Sequence, residues 1–411
     1  MRALRACPTL LLLACLPLLA TSDDSAAGLP PLSAALSRPV ALAADRGGSV
    51  FIVSEGAHCV WVLDADDDTL KLFAGADASG ADGDGGSATS SRLLDPRGVA
   101  VDAKRNVLIA DAGSHRLRVV AAITGVMRTL AGTGAPGAHG DGGAASRAAL
   151  HGPVAVAVES SSGRIAIADQ LNHKVRLISA EGIISTLAGT GAEGAEGDGG
   201  PASAAALSLP SSVAFDRVGN VLIADHGNSR VRIVSAFAGT ITTLAGTGDL
   251  GYSGDGGLAS AAVLLNPLAL SVDPGSGDTI IVDGLNNVLR RVSAASGLIT
   301  TIAGSAARAR YEAADEGAPA LEAGLFLPSG VAFDAEGRIL VADTHNHRVR
   351  RVDAAGRMDT IAGSGLAEHR VSMDPQTLMA ALGGRAPPTR KPAQRGDNET
   401  GEVRIQALPP M

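Results

Sequence analysis

Aromatic side chains make up only 2% of this sequence, which argues against the stacking platforms that sugar and single-strand nucleic-acid recognition favour. Cysteine is nearly missing as well. Of the three cysteines, Cys7 and Cys15 lie in the N-terminal apolar stretch, so removal of that stretch leaves Cys59 alone and no intrachain disulfide possible. Stability must then come from packing. A basic excess is also absent: the formal net charge is −8 and no basic patch interleaved with aromatics occurs, which argues against a nucleic-acid partner. There is no nucleophile elbow, phosphate loop or paired-cysteine motif. Long apolar runs are confined to the start, where Arg2 and Arg5 lead an apolar core over Leu10–Leu19, followed by Ala20, Thr21 and Ser22. Residues 1–22 therefore read as a secretory signal peptide, too short for a comfortable membrane span, and the expectation is a soluble secreted or lumenal protein.

What the chain has in quantity is glycine, 52 residues of it, and repetition. The stretch Leu327–Val352, LPSGVAFDAEGRILVADTHNHRVRRV, has close relatives upstream. In it, Val331–Phe333 is a short apolar run ended by the turn cluster Asp334-Ala335-Glu336-Gly337, and Ile339–Ala342 is a second run closed by Asp343-Thr344-His345-Asn346. Arg348–Val352 then alternates, and Met358–Ala362 ends at Gly363. Each unit is thus a four-stranded antiparallel meander. The opening prolines fall at Pro39, Pro96, Pro153, Pro210, Pro267 and Pro328, four intervals of 57 and one of 61, and the closing glycines at Gly75, Gly132, Gly189, Gly246, Gly304 and Gly363. One such blade cannot bury both faces of its sheet, whereas a ring of them packs each between two neighbours. The sequence predicts an all-β, six-bladed β-propeller over residues 39–363. Residues 23–38 form a lead-in placed over the ring's seam, because GLPPLSAALSRP partly echoes the later linker GGPASAAALSLP. Residues 364–411 read as a mobile Pro/Arg-rich tail, carrying the glycosylation acceptor Asn398-Glu399-Thr400 and the tripeptide Arg395-Gly396-Asp397. How the ring closes stays open at this level.

The pattern P-x-G-V-A-x-D followed by V/I-A-D-x-x-N-x-R-V-R resembles the NHL-repeat family, over Pro39 to Gly363. The longer arrangement T-L-A-G-T-G, G-D-G-G, A-x-L-x-x-P is similar to NHL repeats of many bacterial and algal proteins and of the teneurin ectodomain. The resemblance implies the propeller fold. It also brings in a metal-dependent enzyme, the peptidyl-hydroxyglycine amidating lyase, whose chemistry needs histidines at the central channel. Here the first strands, VALAAD, GVAVD, VAVAVE, SVAFD, LALSVD and GVAFD, carry none; Glu159 stands out only because Asp45, Asp102, Asp216, Asp273 and Asp334 hold the same column.

Strand parity puts the second-to-third-strand turns and the linkers of about twenty residues at one end of the ring, the linker face. Five linkers place an acid twelve residues before the next proline: Asp84, Asp141, Asp198, Asp255 and Glu316. Such a ring could hold Ca²⁺ or a basic partner, although each motif offers one obvious carboxylate, so the preferred reading has the glycines accept positive φ while the Asp bonds the local backbone. No cofactor is expected, with Ca²⁺ as the one candidate metal. The turns hold His58, His115, His173, His226, His345 and His347, too dispersed around a ring for a zinc site. Five strand-two acids stand seven positions before an arginine, as Asp111 and Arg118, Asp169 and Arg176, Asp225 and Arg232, Asp283 and Arg290, and Asp343 and Arg350. These are expected to pair as blade architecture. In the first unit Glu55 is read in the Asp place, His58 in the Asn place, and Val60 and Val62 around Trp61 in the basic places. Function is expected on the linker face, at the six histidines and at Arg97, Ser211 and Ser329 after the opening prolines. The preferred role is a secreted noncatalytic binding or scaffolding module with a protein or other extracellular ligand; the alternative is a lactonase-like or amidating-lyase-like hydrolase or lyase at the channel mouth.

Overall fold

The computed structural model describes residues 28–366 apart from 77, 306, 307 and 309. The signal-like residues 1–22 and the sequence motifs of the tail lie outside the described residues. Among those described, no helix is long and apolar enough to cross a membrane.

Apolar runs broken by Gly and Asp turns fold as the repeat demands. Blade one is β1 (Pro39–Ala44), β2 (Val50–Ser54), β3 (Cys59–Asp64) and β4 (Thr69–Ala74), and blade two is β5 (Pro96–Val101), β6 (Val107–Asp111), β7 (Arg116–Val120) and β8 (Met127–Ala131). Blade three comprises β9 (Pro153–Val158), β10 (Ile165–Asp169), β11 (Lys174–Ile178) and β12 (Ile184–Ala188). Blade four comprises β13 (Ser212–Phe215), β14 (Val221–Asp225), β15 (Arg230–Val234) and β16 (Ile241–Ala245). Blade five follows with β17 (Pro267–Val272), β18 (Thr279–Asp283), β19 (Val288–Val292) and β20 (Ile299–Ala303). A short strand, β21 (Ala318–Pro319), precedes blade six, which is β22 (Gly330–Phe333), β23 (Ile339–Asp343), β24 (Arg348–Val352) and β25 (Arg357–Ala362). Every blade is an antiparallel meander in chain order.

The first strands line the axis, and each packs against its neighbour around the ring, with β22 meeting β1. Between blades lie six apolar clusters, each drawn from two neighbours; Leu42, Ile52 and Leu70 of blade one, for example, pack on Leu340 and Val349 of blade six. Second strands are buried on both faces, as in VLIAD of β6 and β14, so each of their central isoleucines contributes about 2–3 kcal/mol by leaving water. The third-to-fourth-strand pairing carries a bulge at the same place in all six blades.

The ring closes through a linker cut in two. Closing glycines donate to the following linker, Gly132 to Ala145 O at 3.2 Å and Gly189 to Ala202 O at 3.1 Å; at the seam, Gly363 donates to Pro31 O at 2.9 Å. Ser364 donates to Ala34 O at 2.8 Å, as Thr133 does to Ala148 O and Thr190 to Ala205 O at 3.0 Å. Just before Pro31 and Ala34, Leu29 exchanges two bonds of 2.9 Å with Leu70, extending the outer edge of blade one as linker residues extend the other blades. Among the described residues no strand is exchanged between the ends. Residues 363–366 begin the last linker and residues 28–38 finish it.

The same register corrects the reading of blade one. Pro39 lies opposite Ser54, as Pro96 lies opposite Asp111, so Ser54 and not Glu55 occupies the Asp place. Trp61 lies opposite Ile52, as Arg118 lies opposite Ile109, so the buried arginine is replaced by Trp61, with Cys59 rather than Val60 in the other basic place. His58 holds the left-handed place that follows the Asn position. The nearest acid in sequence was one residue out of register.

Candidate functional site

Each of blades two to six contains a buried guanidinium between two carboxylates. Arg118, Arg176, Arg232, Arg290 and Arg350 are fully buried and lie 3.5, 3.3, 3.2, 3.4 and 3.8 Å from Asp111, Asp169, Asp225, Asp283 and Asp343. The second carboxylate comes from the linker. Asp84 lies 2.7 Å from Arg118, Asp141 2.5 Å from Arg176, Asp198 2.5 Å from Arg232, Asp255 2.7 Å from Arg290 and Glu316 3.8 Å from Arg350. The linker acid also takes a strand-four hydroxyl, Thr186 to Asp141 at 2.7 Å and Thr243 to Asp198 at 2.6 Å. It therefore bonds across to the blade, not to its local backbone as the sequence suggested. The flanking glycines do what was expected of them: Gly83 and Gly85 sit at φ +96° and +86°, and a Cβ on Gly83 would lie 2.6 Å from Ser91 Cα.

The strand-two aspartate gathers the rest of the turn. Asp225 Oδ1 accepts the Ser208 amide at 2.7 Å and Oδ2 accepts Asn228 Nδ2 at 2.8 Å, while that amide also donates to Gly194 O at 2.6 Å. Burial outweighs these bonds, so the carboxyls of Asp111 and Asp343 are pushed up to about 6, and those of Asp169, Asp225 and Asp283 also rise. The half-exposed Asp84, Asp141 and Asp255 are pushed up less by burial than their threonine and arginine partners pull them down.

The turn histidines divide into two sets. His58, His115, His173 and His347 occupy the left-handed residue that ends each turn, a place held by Ser229 in blade four and Asn287 in blade five. Each reaches to the next blade. Nδ1 of His58, His115, His173 and His347 accepts the backbone amides of Asp95, Gly152, Leu209 and Arg38 at 3.2, 3.1, 3.2 and 3.2 Å. Ser229 Oγ and Asn287 Oδ1 do the same for Asn266 and Leu327 at 3.4 and 2.7 Å. The six donors are themselves left-handed and stand just before the next opening proline. His226 and His345 are outside this set: His226 faces Asn266 Nδ2 at 3.2 Å, and His345 packs on Phe326 with ring centroids 5.2 Å apart.

The channel, 350 Å³ in volume, is walled by the first strands, and Arg97 is its one charged lining residue among those described. Ser211 and Ser329 also line it, yet both bridge blades: Ser211 Oγ donates to Pro267 O at 3.0 Å, and Ser329 Oγ lies 3.3 Å from Val40 O and 2.5 Å from Thr344 Oγ1. Beside Arg97 is a charged cluster that the other blades do not repeat among the described residues. Glu55, whose side chain is 6% exposed, lies 2.5 Å from Arg97 and 2.9 Å from Arg38, which are 40% and 47% exposed, and Arg97 also meets Asp95 at 3.2 Å. Burial pushes the Glu55 carboxyl up; Arg97 and then Arg38 oppose that rise. The sequence signal for this site was Glu55 itself, an acid where the other turns begin with Ala112, Gln170, His226, Gly284 and Thr344. Glu159 is elsewhere, at a first-to-second-strand turn, bonded to Arg164 at 2.7 Å. Among the described residues no group of three or more His, Cys, Asp or Glu side chains is arranged to hold a metal ion.

The NHL repeat model matches residues 93–120 and 327–352, which are the first three strands of blades two and six. The chain therefore carries NHL repeats in at least these two blades. It is 28% identical to the Arabidopsis thaliana chloroplastic protein Suppressor of Quenching 1 over 279 residues, 65% of this chain and 26% of that one. It is 27% identical to NHL repeat-containing protein 2 of Bos taurus over 311 residues, 68% of this chain and 42% of the relative. The NHL propeller thus spans less than half the length of either. Among solved structures it is similar in fold to a Bacteroides thetaiotaomicron protein of unknown function (TM-score 0.57, 17% identity, 78% of this chain and 70% of that one) and to an auxiliary nutrient binding protein from Bacteroides ovatus (0.53, 13%, 77% and 69%).

Proposed function

We propose that this chain is a secreted, noncatalytic binding or scaffolding module that engages an extracellular ligand through its linker face, at the channel mouth of blades six, one and two. The observation that carries this reading is the break in six-fold repetition at Glu55, Arg38 and Arg97, where two guanidiniums remain about half exposed around one buried carboxylate. Elsewhere on that face the repeated acids and most of the turn histidines are committed to bonds within and between blades. An asymmetric patch on a repetitive scaffold is where a partner can be selected. The test is capture from extracellular extract by the mature chain and by an R38E/R97E variant. A partner held by the former and lost by the latter is expected, whereas repeated recovery of nothing above control sinks the reading. Appearance of the chain in culture medium, with its N-terminus near Ser22, tests secretion; retention in the cell argues against it.

A hydrolase or lyase worked from the same mouth has one observation in its favour, the raised pKa of Glu55, since a buried carboxyl beside a channel is suited to general acid chemistry. Turnover in a screen of lactones and esters that disappears in Glu55→Gln would favour this reading over the first.

A further inference from the structure

We propose that joints between blades on the linker face are proton-sensitive, so that acidification releases the histidine clasps at His115 and His347 and leaves those at Ser229 and Asn287 closed. The basis is the direction of the bonds. A backbone amide can only donate, so an Nδ1 that receives one must carry a free lone pair, and the ring must be neutral. A proton on Nδ1 turns that acceptor into a donor facing a donor. The clasp is then lost and the next blade's left-handed residue loses its tether. Serine and asparagine acceptors undergo no such change, and two of the six joints use them.

The charged surroundings differ from joint to joint. His58 has Glu55 at the start of its own turn and Asp95 in the segment it clasps, with Arg97 and Arg38 bound to those acids. His115 faces His151, ring centroids 5.3 Å apart. His173 follows a turn rooted on Asp169, which is bound to Arg176, and precedes Lys174. His347 has Arg38 and His345 nearby, and its ring also hydrogen-bonds the Leu36 carbonyl. Burial holds His115 and His347 below the ordinary value of 6.5, with His151 and Arg38 adding to the effect. A depressed imidazole contributes stability that is present above 6.5 and is lost as pH falls, since the released ring takes up the proton that the clasped ring refuses.

The experiment is amide hydrogen exchange on the full chain between pH 8 and 5, read at single residues and corrected for intrinsic chemistry. Opening at Arg38 and Gly152 is expected to rise by up to about tenfold per pH unit below the imidazole's ordinary pKa, with Asn266 and Leu327 flat. All four of these amides moving together, or Arg38 and Gly152 staying flat, would overturn the proposal. His115→Asn places at one joint the acceptor type already used at Asn287. It should abolish the slope at Gly152 alone, and a slope that persists there is equally fatal.

Discussion

At the scale of single residues, the buried arginines pose the main energetic question. Arg118, Arg176, Arg290 and Arg350 each leave Nε without an acceptor, so the guanidinium is bound by two acids and still incompletely satisfied. A buried ion pair of this kind is weak evidence of net stability, but removing one member leaves a stranded charge. Asp225→Ala should therefore cost about 3–5 kcal/mol in urea denaturation, and adding Arg232→Met to it should recover part of that loss. An unchanged unfolding midpoint in the single variant would dismiss the architectural role. The raised carboxyls give a pH dependence of definite sign. With Asp343 moved from 3.8 to about 6, the folded chain holds a proton that the unfolded chain has released between those values. Wild-type stability relative to Asp343→Asn should accordingly fall as pH rises from 4 to 6, by on the order of 3 kcal/mol, and then level off. Denaturation series at several pH values would show this, and a rise across that window would contradict it.

At the scale of the blade, the turns show why glycine is spaced as it is. Gly132 sits at φ +93° with its missing Cβ only 2.3 Å from His115 O, whereas Gly142, at φ +80°, has nothing within 4 Å. Gly142→Ala should cost about 1 kcal/mol from backbone strain alone, and Gly132→Ala appreciably more because the His115 turn must also move. Equal losses for the two in thermal melts would mean that the close approach is unimportant. The strands and the Asp and Arg partners within a blade could be read from the sequence because they recur at fixed offsets on neighbouring strands. The linker acid's true partner could not. Asp84 and Arg118 are 34 positions apart, and pairing them requires knowing that the linker folds back over the blade it introduces. The histidine clasps were hidden for the same reason, joining turns 36 to 37 positions apart or, at the seam, 309.

At the scale of the whole ring, the seam determines how the molecule holds together. Residues 28–38 supply Ala34 and Leu36 to the cluster between blades six and one, and cover the outer edge of β4 through Leu29. Deleting them should lower the melting temperature and, by baring a strand edge, produce larger species in light scattering than the full chain forms. A variant of unchanged size and stability would show the lead-in to be dispensable. The sequence carried a trace of this closure in the echo between GLPPLSAALSRP and GGPASAAALSLP, but could not show that Gly363 and Ser364 complete the other half. A split linker also orders events during synthesis. Residues 28–38 leave the ribosome before any blade, yet Pro31 and Ala34 bind Gly363 and Ser364, which emerge after the last one. Five blade interfaces can assemble as the chain grows, while blade one waits with an uncovered face for blade six. Closure of the ring is thus the contact of greatest sequence separation and the last to become possible, and until then the nascent chain is an open arc.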